Sequence, residues 1–437
     1  MNKETGKIGL WRTTSLVAGN MIASGIFMLP VALASFGSIS LIGWILSGIG
    51  AVLMATVFAW SSRLYPGARG GPYAYAREGL GSFAAFLVAW SYWISVWTTN
   101  AAISVGFVSY LSVFFPWVSS GTVPSLITGL SAIWLLTWIN CRGIPTAGSV
   151  QLFTTILKIL PLVLIICAGI FFIETENFAV FNVSGQSNFG AITSTATLTL
   201  FAFLGLESAT IPGASVHNPE RTIPKATMIG TLLVTAVYIL GTVAVMGILP
   251  GDILRQSNAP FADAAALMWG EQARYWVAGG AVISTFGALN GWMLMQGQMP
   301  ASAAADHLLP KFFGQLNKKH APSGSIIISS ILITILLVMN SSGKLATTFK
   351  FIILISTLTA LIAYLLSMAA YIIVAPRYVT EKKKLRIHLI VAFGGFLYAL
   401  WAVAGAGEGS VYYGLLAVLA GIPIYAFQKI KIDKRGI

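Results

Sequence analysis

The chain has 437 residues, of which 57% are hydrophobic and 9% charged, with a formal net charge of +13. Soluble domains carry about 25% charged residues, so this chain has too few to cover a water-facing surface. A mean hydropathy of +0.82 excludes a soluble enzyme or nucleic-acid-binding domain and indicates a bilayer protein.

Apolar runs of about 20 residues, the length a bilayer core demands, predict twelve helices. They fall at 10–35, 39–64, 82–115, 123–140, 150–173, 191–213, 227–249, 273–302, 324–340, 349–374, 387–405 and 410–428. Backbone groups in lipid must be satisfied internally, and the alternating pattern of an outer-membrane barrel is absent. The fold class is therefore an all-α membrane protein. The start, MNKETGKIGLWRTTS, leads into a long apolar segment, so no cleavable signal peptide is expected.

With both ends placed inside, all but five of the 26 Lys and Arg residues fall in cytoplasmic segments. The exceptions are Arg255, Arg274, Lys344 and Lys350 outside and Lys158 within a span. Clusters such as Lys3/Lys7/Arg12, Arg63/Arg69/Arg77, Lys311/Lys318/Lys319, Arg377/Lys382/Lys383/Lys384/Arg386 and Lys429/Lys431/Lys434/Arg435 follow the positive-inside rule. Topology accounts for the basic charge, so no nucleic-acid partner is expected. The lipid bilayer is the expected surrounding, in the inner membrane with cytoplasmic termini.

The first span contains Gly19-Asn20-Met21-Ile22-Ala23-Ser24-Gly25, and the sixth contains Phe203-Leu204-Gly205-Leu206-Glu207-Ser208. Interior glycine costs about 1 kcal/mol relative to alanine, and clustered Gly, Ser and Asn let a helix unwind. Close packing through small residues is the competing explanation. Position favours the first: each break opens a five-helix block, and each block carries a Pro-aromatic-Ala-x-Ala segment after its second helix. These are Gly71-Pro72-Tyr73-Ala74-Tyr75-Ala76 and Ala259-Pro260-Phe261-Ala262-Asp263-Ala264. The first lies inside and the second outside, as two inverted repeats require. The expected organisation is one transporter domain: 1–180, 181–376, and two final helices in 377–437.

Of the lysines, arginines, aspartates and glutamates, only Lys158 and Glu207 fall well inside predicted spans. An ionisable group at that depth costs about 2.5–3.5 kcal/mol on insertion scales, and it usually faces a cavity or partner. Glu207, just past the second break, is expected to attract a cation, exchange a proton or cap freed backbone. Lys158 is expected to supply a structural cation or proton coupling, with snorkelling as the alternative. The N–H groups at Ala23, Ser24 and Gly25 suit a carboxylate. Carbonyls near Phe201 and Leu204 suit an ammonium. Trp292, beside Asn290 and Gly291, and Phe201 offer an aromatic wall.

His217, His307, His320 and His388 lack metal-ligand spacing, and no phosphate-binding loop is present. Cys141 and Cys167 are far apart, and neither a disulfide nor a metal role is expected. No cofactor, metal site or catalytic residue is expected; a membrane-embedded enzyme and an ion channel are the competing classes.

GNMIASGIFMLP (19–30), GGPYAYAREGLG (70–81), FAFLGLESATIPGASVHNPERTIPKA (201–226), GWMLMQGQ (291–298) and SAAADHLLPKFF (302–313) resemble the amino acid–polyamine–organocation superfamily. More narrowly, they resemble its basic amino acid/polyamine antiporters, which include arginine/agmatine and ornithine/putrescine exchangers. The resemblance implies twelve helices, inverted repeats and alternating access. It implies substrate contacts from Asn20, Ser24, Gly25, Ser95, Asn100, Ile103, Phe201, Gly205, Glu207, Trp292 and Ser356. Tyr92 and Tyr364 would act as gates with Trp292 and Phe201, and Tyr73 corresponds to a cytoplasmic-side tyrosine linked to pH response. Phe201 replaces a tryptophan of the arginine exchanger. Lys158 resembles instead the helix-5 lysine of proton-coupled permeases, which stands in place of a sodium ion. The leading expectation is exchange of a cationic amino acid for its decarboxylated amine. A proton-coupled carrier of neutral amino acids is the alternative, and a homodimer is compatible with either.

Overall fold

A computed structural model of the chain describes residues 8–65, 71–143, 147–211, 215–341 and 344–433, without the side chains of 147–157 and 432–433. Lys3, Lys7, Arg69, Lys434 and Arg435, together with residues 70 and 212–214 of the quoted segments, lie outside the described residues.

The described residues form helices and no named strand. The first span is split into α1 (Leu10–Met21) and α2 (Ser24–Ala34); α3 (Ser40–Leu64) returns beside it. There follow α4 (Pro72–Leu111), α5 (Thr122–Cys141), α6 (Ala147–Gly169) and α7 (Asn188–Leu200), the last continued by short 3-10 turns to Thr210. Next come α8 (Pro219–Ile248), the short α9 (Gly251–Gln256), α10 (Pro260–Trp269), α11 (Glu271–Ala305) and the single turn α12 (Lys311–Gly314). The chain ends with α13 (Ser323–Met339), α14 (Leu345–Tyr378), α15 (Lys382–Ala404), α16 (Glu408–Leu419) and α17 (Gly421–Asp433). Within the described residues, ten spans are long and apolar enough to cross a bilayer, and Lys158–Phe172 and Ser323–Met339 are shorter apolar helices. The protein is a multi-pass membrane protein.

Several expected boundaries shift for local reasons. The third helix starts at Pro72 rather than 82, because proline is well placed in a first turn. The segment before it is thus helical, and Gly81 kinks the two parts with φ 83° and ψ −176°. The matching segment of the second block, α10, ends at Gly270, whose φ of 90° and ψ of 170° are nearly the same. Cys141, expected in a loop, is the last residue of α5.

Packing fixes which loops share an end. Ile8 N–H donates to Ser215 O at 3.0 Å and His217 N–H to Ile8 O at 3.0 Å. Tyr73 bonds Asp306 at 3.0 Å, and Asn317 Nδ2 donates to Cys141 O at 2.7 Å. With Gly71 against Thr210 and Tyr65 stacked on Tyr75, these contacts gather Arg12, Arg63, Arg77, Arg142, Lys311 and Lys319 at one end, hereafter the basic end. At the other, Ile39 N–H donates to Phe181 O at 2.8 Å and Asn177 Nδ2 to Gly247 O at 2.7 Å. Outward faces carry exposed Ile45, Ile49, Leu160, Leu164, Ile331, Ile335, Phe393 and Leu397. Such helical stripes of exposed apolar residues suit lipid, not water. Inside them, α4 packs along α14 and α11, and α3 along α8.

Candidate substrate site at two broken spans

The break in the first span is complete. Ile22 (φ −74°, ψ 83°) and Ala23 (φ −120°, ψ −139°) leave the helical region. The Ala23 N–H turns to Met21 O at 2.8 Å instead of reaching back to Gly19. In a regular helix Gly19 O and Asn20 O would accept from residues four ahead; here each finds a side chain. Lys158 Nζ on α6 donates to Gly19 O at 3.0 Å, and Trp292 Nε1 on α11 donates to Asn20 O at 3.0 Å. The Tyr238 hydroxyl on α8 lies 2.5 Å from Met21 O and 3.0 Å from Ala202 O. A buried carbonyl left unpaired costs about 1–3 kcal/mol, so these three caps make the open backbone tolerable. Lys158 is only 1% exposed. The snorkelling alternative therefore fails: the side chain turns inward to α1, although Leu160 on the same helix is exposed.

The sixth span breaks beside the first. Past α7 the chain makes a 3-10 turn, extends at Leu204 (φ −61°, ψ 135°) and enters positive φ at Gly205 (φ +100°). A Cβ at Gly205 would meet Asn20 Cβ and Trp292 at 3.3 Å. Glycine is needed there for both backbone and space. On the other side of the same contact, a Cβ at Gly25 would sit 3.0 Å from Ala202 and 3.6 Å from Phe201. The two interruptions are thus in direct contact.

Glu207 follows that break and is fully buried. The Tyr92 hydroxyl donates to its Oε1, and the Tyr364 hydroxyl donates to its Oε2 at 2.5 Å. The carboxylate thereby ties α4 and α14 to the sixth span. Phe58 packs edge-on to Tyr364, with ring centroids 5.4 Å apart.

The other expected residues arrange around this centre. Asn20, Ala23 and Phe201 are each 4% exposed, while Ser24, Asn100, Ile103 and Ser356 are fully buried. Asn20 Nδ2 donates to Met295 Sδ at 3.5 Å. Ser356 Oγ donates to Ser95 O at 3.0 Å and lies 2.6 Å from Thr99 Oγ1. Asn100 Nδ2 donates to Gln296 Oε1 at 2.7 Å. Phe201 meets Phe349 edge-on, with centroids 5.9 Å apart. Trp292, the other expected aromatic, is held to Asn20 O by its indole N–H and lies against Gly205. Asn290 is exposed and accepts from Asn140, away from the centre. Tyr73 lies apart too, near the basic end, with Asp306 and Arg77. Oγ of Ser24, Oγ of Ser95 and Oδ1 of Asn100 are buried without a hydrogen-bond partner. Among the described residues no group of His, Cys, Asp or Glu could hold a metal ion.

Chain direction orders these parts by depth. α4 runs away from the basic end and α14 toward it. Tyr92 precedes Ser95 and Asn100, and Tyr364 follows Ser356. The Tyr92–Glu207–Tyr364 latch therefore lies on the basic side of the serines and Asn100, with Tyr73–Asp306 further out. Phe201–Phe349 lies on the opposite side. Beyond it, a cavity of about 300 Å³ is lined by residues including Ser104, Ser125, Lys344 and Thr348.

Sequence reasoning missed Tyr238, Gln296, Met295 and Asp306. Gln296 could have been found, since it follows Trp292 by one helical turn. Tyr238 carried no signal, being one tyrosine in an apolar helix.

Comparison with known proteins fits this geometry. The amino acid permease family profile matches residues 8–424. The putrescine transporter PotE of Haemophilus influenzae is 33% identical over 434 residues, covering 99% of each chain. A cadaverine/lysine antiporter of Escherichia coli is 36% identical over 370 residues, covering 84% of this chain and 81% of its own. The E. coli putrescine transporter PotE is 31% identical over 434 residues, covering 99% of this chain and 98% of its own. With two broken spans meeting at a buried polar centre, and these matches along nearly its whole length, the chain belongs to the amino acid permease family, in its basic amino acid/polyamine antiporter branch.

Proposed function

We propose that the protein exchanges a cationic amino acid for its decarboxylated amine across the inner membrane by alternating access. The observation that carries this reading is the contact between the two breaks at Gly205 and Asn20, one turn from the buried acid Glu207. Peptide groups at the breaks suit the two ends of an amino acid: N–H groups of Ser24 and Gly25 for the carboxylate, carbonyls near Phe201 and Leu204 for the ammonium. Of these carbonyls, Phe201 O accepts from Leu204 N–H at 3.1 Å and keeps a second lone pair. Relatives named as a putrescine transporter and a cadaverine/lysine antiporter support a cationic substrate. They give no support to the neutral-amino-acid alternative.

Glu207 then acts as a latch that reads charge. A substrate amine competing for its oxygens loosens Tyr92 and Tyr364, and with them α4 and α14. Lys158 Nζ occupies Gly19 O at 3.0 Å, which leaves that carbonyl unavailable to a sodium ion and sets an amine able to carry or release a proton beside the break. The positive-inside rule assigns the basic end to the cytoplasm, with both termini there. The described conformation is then closed more thickly toward the cytoplasm than toward the outside. The shared Pro-aromatic start and glycine stop of 72–81 and 260–270 support two inverted repeats, 1–180 and 181–376.

Vesicles reconstituted with the protein and preloaded with putrescine, cadaverine or agmatine test the reading. Uptake of ornithine, lysine or arginine should rise at least tenfold with one matching amine inside. Uptake of none of them, with or without an internal amine, contradicts it.

A further inference from the structure

Gln296 on α11 is fully buried, and its bonds fix which way its amide faces. Nε2 lies 3.3 Å from Ile326 O, 3.2 Å from Ser330 Oγ and 3.0 Å from Met293 Sδ. A carbonyl and a thioether only accept, so the nitrogen belongs on that side and the oxygen on the other. Ser330 is itself held, donating to Ile326 O at 2.9 Å and lying 2.6 Å from Thr137 Oγ1 on α5.

The consequence passes to α4. Gln296 Oε1 needs a donor, and Asn100 Nδ2 supplies it at 2.7 Å. With its nitrogen engaged, Asn100 must present its oxygen elsewhere, and that Oδ1 is buried without a partner. Were Gln296 absent, the Asn100 amide could turn over and offer N–H groups instead. Buried acceptors are normally satisfied, and this one stands on a site helix, five residues past Ser95 and three before Ile103. The neighbouring unpaired Oγ atoms of Ser24 and Ser95 can donate or accept, so the amide alone sets a polarity.

We infer that Gln296 is a positioning residue for substrate selection: it holds Asn100 so that this amide meets a protonated amine with its oxygen and not with its N–H groups. The inference rests on the cationic-substrate reading. Met295 and Trp292 on the same helix touch the break of the first span, whereas Gln296, one turn past Trp292, spends its amide on α4 and α13 and acts through Asn100.

The test uses exchange in reconstituted vesicles, with the amine that supports it best in the wild type as probe. Gln296→Leu should raise KM for that amine at least tenfold while kcat changes less than threefold. Adding Asn100→Asp should return KM to the wild-type value or below, because a carboxylate offers oxygens whichever way it turns. A merely structural role gives no such rescue. Should Gln296→Leu not fold, Gln296→Met, close to glutamine in length, replaces it in both arms. An unmoved KM, or a raised KM that Asn100→Asp leaves raised, overturns the inference. A wild type that exchanges no cationic amino acid or amine refutes the functional reading itself, and the inference with it.

Discussion

A buried carboxylate needs hydrogen-bond donors, and Glu207 takes them from the hydroxyls of Tyr92 and Tyr364. Glu207→Gln keeps an acceptor for one tyrosine but sets an N–H₂ group against the other. Turnover should fall at least tenfold while the protein still purifies as a folded monodisperse species; unchanged exchange rates at every pH would leave the carboxyl a structural part. The carbonyl caps make a second prediction. Trp292→Phe keeps an aromatic ring but leaves Asn20 O without its donor, and Lys158→Met does the same to Gly19 O. Each should cost about 1–3 kcal/mol, read as a lower melting temperature in detergent. A wild-type melting point for Trp292→Phe would mean that the ring alone matters there.

At the scale of elements, three glycines separate strain from crowding. Gly205 has φ +100° and neighbours 3.3 Å from where a Cβ would sit, whereas Gly81 and Gly270 have positive φ and open space within 4 Å of that point. Residues forced into such backbone cost about 1–3 kcal/mol. Alanine at any of the three should lower the melting temperature, but only Gly205→Ala should also abolish exchange, because it pushes the two breaks apart. Equal transport loss at all three would contradict that separation. The breaks were legible in the sequence because Gly, Ser and Asn gather where a helix needs none of them. The latch was not: Tyr92 and Tyr364 lie 115 and 157 residues from Glu207, and nothing in a single sequence pairs residues that distant. Tyr238 was hidden for the same reason, since its partners are backbone carbonyls on other segments, whereas the spacing of Gln296 from Trp292 was open to view. The bond from the Trp292 indole N–H to Asn20 O was not legible either, as the sequence shows a ring but not which edge of it faces the backbone.

For the whole molecule, closure is unequal. The latch at Glu207 and the Tyr73–Asp306–Arg77 cluster stand in series toward the basic end, against the Phe201–Phe349 contact toward the cavity. Asp306→Asn weakens the outer of the two layers by removing the charge that Arg77 and Tyr73 share. With Cys141 and Cys167 replaced by serine, a lone cysteine at position 356 should then react severalfold faster with a small thiol reagent applied at the basic end. No change in that rate would mean that the latch alone seals this side.

The claim on which all of this depends is that freed peptide groups at the two breaks hold the transported molecule. An electron-density map of the protein with its exchanged amino acid bound tests it most directly. The account predicts a carboxylate at the N–H groups of Ser24 and Gly25, with an ammonium within hydrogen-bond reach of Asn100 Oδ1 or of the carbonyls near Phe201. Ligand density confined to the cavity beside Lys344 and Thr348, with residues 20–25 and 201–207 untouched, would contradict it.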